Sequence, residues 1–295
     1  MWSRILPVAV LGLILCAKAG AASATPGGWV VRAQPLLLVN GSPVLFTVKP
    51  PHPLTSLTAG WLGNQLVFTL NLKDKTWYAL GGVALKTKPG VYTLKLVAIS
   101  KQAPESIVEK RIATRAGKYR KIAIKVARQY TEPSAQQLRK ITEDKSVKQA
   151  AFSKSDPERE WSGNFAAPLE APISDLFGTQ RTFNGHVQST HQGLDYAARA
   201  GTPVAAVNAG TVLLAGALYF EGNCVVIDHG QGLQTLYMHL SEIAVKEGEH
   251  VGRGQNLGLV GGTGRATGPH LHFAVRWRGE YLDPATLLKL RLPRS

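Results

Sequence analysis

The chain is poor in cysteine, in acidic residues and in long apolar runs, and each shortage excludes something. Of its 295 residues only Cys16 and Cys224 are cysteines, and Cys16 lies in an N-terminal apolar stretch. Once that stretch is removed, Cys224 has no partner, so a disulfide scaffold and a thiolate metal cage are both excluded. Cys224 precedes Val225-Val226-Ile227 and reads as a packing residue. After residue 24 no apolar run approaches 18 residues, so no membrane span is expected in the mature chain. The His-Glu-x-x-His motif, which brings its own glutamate base, does not occur.

The shortage of acid is uneven. Residues 1–162 hold 24 Lys+Arg against 9 Asp+Glu, a net +15, whereas residues 163–295 hold 10 of each. A basic surface favours anionic partners. Seven of the eight histidines, all but His52, lie in the neutral half. A hydrophobic content of 44% with 18% charged residues fits ordinary globular domains.

Residues 1–24 read as an export signal. Arg4 precedes the apolar run 5–17, which is too short for a comfortable span, and Ala22-Ser23-Ala24 offers a small-residue cleavage site. Leu15 before Cys16 speaks against a lipoprotein signal.

Residues 28–130 show short strands punctuated by turns. The expected strands are 29–39, 43–48, 56–61, 65–72, 77–80, 91–98, 107–112 and 119–127. Asn40-Gly41, Gly63-Asn64 and Pro89-Gly90 supply turn chemistry. Period-two alternation is clear in Val91–Val97 and in Lys121–Val126. This pattern predicts an immunoglobulin-like β-sandwich. Residues 131–162 change character: Pro133-Ser134 opens a polar helical linker, and Pro157 ends the pattern. Residues 163–295 return to strands separated by glycines, an antiparallel all-β pattern with helical character only near 284–290. The fold class expected for the whole is therefore all-β.

Chemistry concentrates at Thr267-Gly268-Pro269-His270-Leu271-His272-Phe273. On a strand, His270 and His272 share one face while Leu271 and Phe273 face the other. Upstream, His191 and Asp195 stand four apart, and His239 ends the apolar run after Tyr237. A catalytic zinc site uses about three nitrogen or oxygen ligands and keeps one position open. His191, Asp195 and one histidine of the His-x-His pair would meet that need. Arg181 and Asn184 precede the first ligand, either lining a cleft or flanking a turn. His229 reads as structural, and His52, His186 and His250 as loop residues.

In this order, His191-x-x-x-Asp195, Tyr237-x-His239-Leu240 and Gly268-Pro269-His270-Leu271-His272-Phe273 resemble the zinc peptidases of family M23, the lysostaphin and LytM type. The glycine-bearing segments Gly201-Thr202-Pro203-Val204, Gly210-Thr211-Val212 and Gly261-Gly262-Thr263-Gly264 extend the resemblance over roughly the last 130 residues. It implies one zinc per chain on His191, Asp195 and His272, with His239 and His270 assisting catalysis. It also implies a zinc-activated water that attacks amide bonds in peptidoglycan stems or cross-links. Family members often carry Glu after the His-x-His-Phe, where this chain has Ala274. The expectation is an exported, periplasmic or extracellular, wall-associated metalloendopeptidase. Peptidoglycan is its expected partner, anionic wall polymers are candidates for the basic half, and no nucleic acid is expected. The alternative is a non-enzymatic, wall-binding activator of other hydrolases.

Overall fold

The computed structural model describes residues 28–101 and 104–293. The expected export signal lies outside them. No helix among the described residues is long and apolar enough to cross a membrane.

The first half folds into two sheets packed face to face. One runs Val30–Gln34, Pro43–Lys49, Thr76–Gly82, Thr69–Asn71, and the other Leu38–Val39, Ser106–Arg115, Gly90–Ile99, Ser56–Trp61, Asn64–Val67. The alternation read in Val91–Val97 points Leu94, Leu96 and Ala98 inward and leaves Thr93 and Lys95 exposed. Phe46 and Trp61 meet between the sheets, edge to face, with ring centroids 5.1 Å apart. The Trp61 indole N–H donates to the Gly82 carbonyl at 2.9 Å, so the buried ring keeps its donor satisfied.

Two expected strands are each split in two. The first becomes Val30–Gln34 and Leu38–Val39, interrupted around Pro35, whose ring removes a ladder donor. The expected strand 65–72 becomes Asn64–Val67 and Thr69–Asn71, which belong to different sheets. The expected strand 119–127 narrows to Lys121–Ile124 and pairs outside the sandwich. It lies parallel to Gln180–Phe183, which in turn pairs with Val187–Thr190.

Helix Ala135–Phe152 starts where Ser134 marks it. The Ser134 side chain accepts from Gln137 N–H, and the Gln137 side chain accepts from Ser134 N–H, closing a capping box. The helix is mostly polar and buries only Asp144 and Ala151. Asp144 takes a charge-assisted bond from Lys140 and another from the backbone N–H of Tyr219, at 2.6 Å each.

The second half is built on a ten-stranded sheet. Its main path runs Ile173–Asp175, Leu194–Tyr196, Leu271–Trp277, Leu233–Ile243, Gly222–Asp228, Gly210–Leu218, His250–Val251. Pro203–Ala205 and Asn256–Val260 add a flanking pair. The apolar strands lie at its centre: Leu271, Phe273 and Val275 are fully buried on one face and Ala274 on the other. The short helix Pro284–Leu287 closes the chain over the core, capped by Asp283.

The two halves share one apolar cluster. Tyr78 of the sandwich meets Trp161, and the Arg159 guanidinium lies over both rings. Gly82 leaves room for Leu282 and Trp277; a Cβ there would lie 2.7 Å from Leu282 Cδ1.

Candidate functional site

Cross-strand pairing sets the centre of the site. Leu194–Tyr196 and Leu271–Trp277 are antiparallel neighbours with Asp195 directly opposite His272. Directly opposed residues on one face place their Cβ atoms about 5 Å apart, close enough for both side chains to reach one point. His191 comes from the loop just before. Its Nε2 lies 3.0 Å from Asp195 Oδ1 and 3.0 Å from His272 Nδ1, and His272 Nδ1 lies 2.8 Å from Asp195 Oδ1. All three residues are buried. Gly193 allows this closeness, because a Cβ there would fall 2.5 Å from His272 Nε2.

Hydrogen bonds behind the rings set their tautomers. A backbone carbonyl can only accept, so the ring nitrogen facing it carries the proton. His191 Nδ1 donates to Leu176 O at 2.8 Å, His239 Nδ1 to Thr263 O at 2.8 Å and His270 Nδ1 to Gly268 O at 2.9 Å. In each neutral ring Nε2 is left as a lone pair. His191 Nε2 and Asp195 Oδ1 are then two acceptors facing each other across 3.0 Å. A cation between them turns that repulsion into attraction, so the donor set fits a metal ion. Two imidazoles and a carboxylate, without thiolate, suit zinc among the common ions. Cys224 is fully buried and lies outside the cleft.

Asp195 is held ionised. Burial alone would raise its pKa, but the imidazoles of His191 and His272, wherever either carries a proton toward Oδ1, outweigh burial and hold the group far down, the same preference for positive charge that a cation at this point would satisfy. Arg181 closes on the other oxygen, Asp195 Oδ2, and on Asp175. Asp175 is bound in turn by Arg120 and Thr179. Burial opposes ionisation of Asp175 too, yet its two arginines and Thr179 hold its pKa below the ordinary value. Of the two cleft candidates before the first ligand, Arg181 belongs to the site. Asn184 does not: it bonds both the N–H and the carbonyl of Val126 and so ties the strand Lys121–Ile124 in place.

His239 reaches the site through an unusual backbone. Met238 pairs with His272, so strict alternation would turn His239 toward the core with Tyr237. Instead His239 has φ +65°, and the ladder shifts register just beyond it. A left-handed non-glycine residue of this kind costs about 1–3 kcal/mol and is concentrated at functional sites. Its ring meets His270 with centroids 4.8 Å apart and His272 at 6.0 Å. Burial, with the neighbouring imidazoles of His272 and His270 adding to it, pushes His239 down to about 3. It is neutral at physiological pH. All five expected residues thus line one cleft of about 500 Å³.

The other histidines lie outside that cleft. His229 is fully buried, donates from Nδ1 to Ala209 O at 2.6 Å and accepts at Nε2 from the Thr235 hydroxyl at 2.8 Å. His186 and His250 are exposed, and His250 pairs with Glu160 at 3.0 Å. Ala274 shares the strand face of His272 but packs among Leu213, Leu236 and Met238 in a second apolar cluster. Periodicity in the sequence did not reveal Asp175, Arg120 and Arg265 as lining residues. Nor did it reveal the apolar wall of Ile122, Ile124 and Val126.

Comparison with known proteins agrees with this geometry. Residues 189–284 match the model of peptidase family M23. A solved structure assigned to peptidase M23, from Pseudomonas aeruginosa, is 31% identical with a TM-score of 0.65, covering 86% of this chain and 96% of that one. The peptidoglycan DD-endopeptidase ShyA of Vibrio cholerae serotype O1 is 39% identical over 149 residues, 50% of this chain and 31% of ShyA. The DD-carboxypeptidase/endopeptidase Mpg of Neisseria meningitidis serogroup B is 43% identical over 115 residues, 39% of this chain and 26% of Mpg. The chain therefore spans about a quarter to a third of the length of these two curated relatives. The match to the Pseudomonas structure runs through both halves of the chain, and on that ground the chain belongs to peptidase family M23.

Proposed function

We propose that this chain is a zinc metalloendopeptidase that hydrolyses amide bonds in the peptide stems or cross-links of peptidoglycan. The single observation that carries this reading is the convergence of two imidazoles and a carboxylate within 3.0 Å, with the His239–His270 pair opening onto the same cleft. The names of ShyA and Mpg support wall peptides as the substrate. On this reading His191, Asp195 and His272 hold one zinc ion per chain, residues 163–295 form the catalytic unit, and residues 28–130 position or restrain it. A substrate of this kind requires export to the periplasm or beyond, in keeping with the expected signal.

Zinc, when bound, supplies Lewis-acid polarisation of a carbonyl and lowers the pKa of water. The chain does the rest. Arg181, itself anchored by Asp175, holds the Asp195 carboxylate fixed in rotation. His239 and His270 hold their protons on Nδ1, against backbone carbonyls, and turn Nε2 to the cleft. One of them takes the proton of the attacking water, and the resulting imidazolium returns it to the leaving amine. The other, neutral with its Nε2 lone pair turned to the cleft, accepts a hydrogen bond from the water and orients it for attack. Asp195, held by His191, His272 and Arg181, is unavailable as a general acid. The cleft's other two carboxylates, Asp175 and Glu221, are tied up by Arg120, Arg181 and Lys148, so no pair of carboxylates is left free to cleave a glycosidic bond. The non-enzymatic alternative is disfavoured because none of the five residues has been lost.

Mass spectrometry of purified peptidoglycan after digestion, with free amines and reducing ends labelled separately, tests the reading. New amines without new reducing ends are expected. New reducing ends without new amines would refute it.

A further inference from the structure

Four cationic side chains line the cleft besides its histidines: Arg120, Lys148, Arg181 and Arg265. Three carboxylates face them, and they engage only three of the four. Arg120 and Arg181 close on Asp175, Arg181 also closes on Asp195, and Lys148 closes on Glu221. The Arg265 guanidinium makes no hydrogen bond or ion pair with any described residue. It stacks instead on two rings of the cleft wall, 4.6 Å from the Phe183 centroid and 4.7 Å from that of Phe220.

The placement is built from several directions. Arg265 N–H donates to Phe220 O at 2.8 Å, and the Tyr130 hydroxyl donates to Gly264 O at 2.5 Å. Gly264 has φ +70°, and a Cβ there would fall 2.3 Å from Gly222 N, so the loop is locked to the 219–222 turn. Stacking engages the faces of a guanidinium and leaves its edge of N–H donors free. Burial against the two rings lowers the pKa of Arg265, the cost of a partly desolvated cation that the charge of Glu221, already paired with Lys148, offsets only in part. An oxyanion at that edge removes the cost. A carboxylate matches the fork with two parallel hydrogen bonds.

We infer that Arg265 is the receptor for a substrate carboxylate, reading a free carboxylate of the wall peptide beside the scissile amide. The inference rests on the wall-peptide reading of the site and names the feature of that peptide which the cleft selects. Phe183 comes from the strand beside Lys121–Ile124 and Phe220 from the turn before Gly222–Asp228, so the two rings join separate parts of the fold at this one side chain.

The test is binding, not turnover. The full zinc-loaded chain is titrated calorimetrically with a wall stem tetrapeptide bearing a free terminal carboxylate, with its carboxamide counterpart and with inorganic phosphate. A charge-assisted hydrogen-bond pair makes the carboxylate form about 10- to 100-fold tighter than the amide, with phosphate weaker than the carboxylate peptide. Arg265→Met keeps an unbranched apolar stem against both rings, and it should bind the two peptides equally, at the affinity of the wild type for the amide. Equal wild-type affinity for the two peptides would overturn the inference, and so would an undiminished preference in Arg265→Met. Phosphate matching the peptide would reduce the site to a general anion site and overturn it as well. If the methionine variant does not fold, the wild-type ratio and the phosphate comparison still decide. A carboxylate preference without any wall hydrolysis would refute the peptidase reading and leave the receptor standing.

Discussion

The two halves bury different things. Among the described residues the sandwich buries Ser42 and Thr114 as its polar side chains, and Thr114 Oγ1 has no hydrogen-bond partner. From Asp175 onward the second half buries eleven, among them His191, Asp195, Asp228, His229, His239 and His272. An unsatisfied buried polar group costs about 1–3 kcal/mol, and each of these six has a hydrogen-bond partner. The half with excess positive charge keeps that charge outside and packs an apolar interior. The half with no net charge gathers polar groups inside, where low dielectric strengthens every interaction. The difference teaches that net charge is a poor guide to the reactive region and that buried, fully partnered polarity is a good one.

The comparison breaks most visibly at the ligands. His272→Ala should take turnover to background while the sandwich stays folded, because two remaining ligands hold a metal poorly. Hydrolysis of purified wall and circular dichroism measure the two effects. Next come His239→Ala and His270→Ala. Each should keep the metal and lose about 10²–10³ in rate, within the range for general acid–base contributions. Metal analysis beside kinetics checks this, and a variant without metal would make that histidine a ligand.

Much of this site was legible because its residues occur as short spaced motifs. His270 and His272 follow from strand period alone, and His191 with Asp195 from their order before them. What local pattern cannot encode is pairing across long stretches of chain. The alternation in Lys121–Val126 marks a strand, but its partner Gln180–Phe183 lies about 60 residues on, and pairing there turns Ile122 and Ile124 to the cleft. His239 is a second case. Its type and place after Tyr237 stand out, yet its left-handed backbone depends on the bulge beside it. Arg265 is a third, since Phe183 and Phe220 are distant in sequence. Pro35, by contrast, carried a visible warning that the strand expected over 29–39 would break.

A pH measurement sharpens the comparison within the second half. Burial lowers His229 to about 4 from an ordinary 6.5. The folded state therefore binds its proton less readily than the unfolded state, and its contribution is present above pH 6.5. That contribution falls as pH drops from 6.5 to 4, by about 3 kcal/mol in all. His229→Gln should flatten this limb in denaturant titrations at several pH values, whereas sandwich substitutions should leave it unchanged. The smallest effect is expected on the sandwich surface. Lys95 is exposed opposite Glu109, so Lys95→Ala should change stability by no more than about 0.5 kcal/mol and leave wall hydrolysis untouched.

The central claim is that the polar cluster around Asp195 is a metal centre and the sandwich is not. Counting zinc per chain by elemental analysis, in the wild type and in Asp195→Ala purified alike, tests it most directly. The account expects one zinc per wild-type chain and essentially none in the variant. Full zinc in Asp195→Ala, or none in an active wild type, would contradict it.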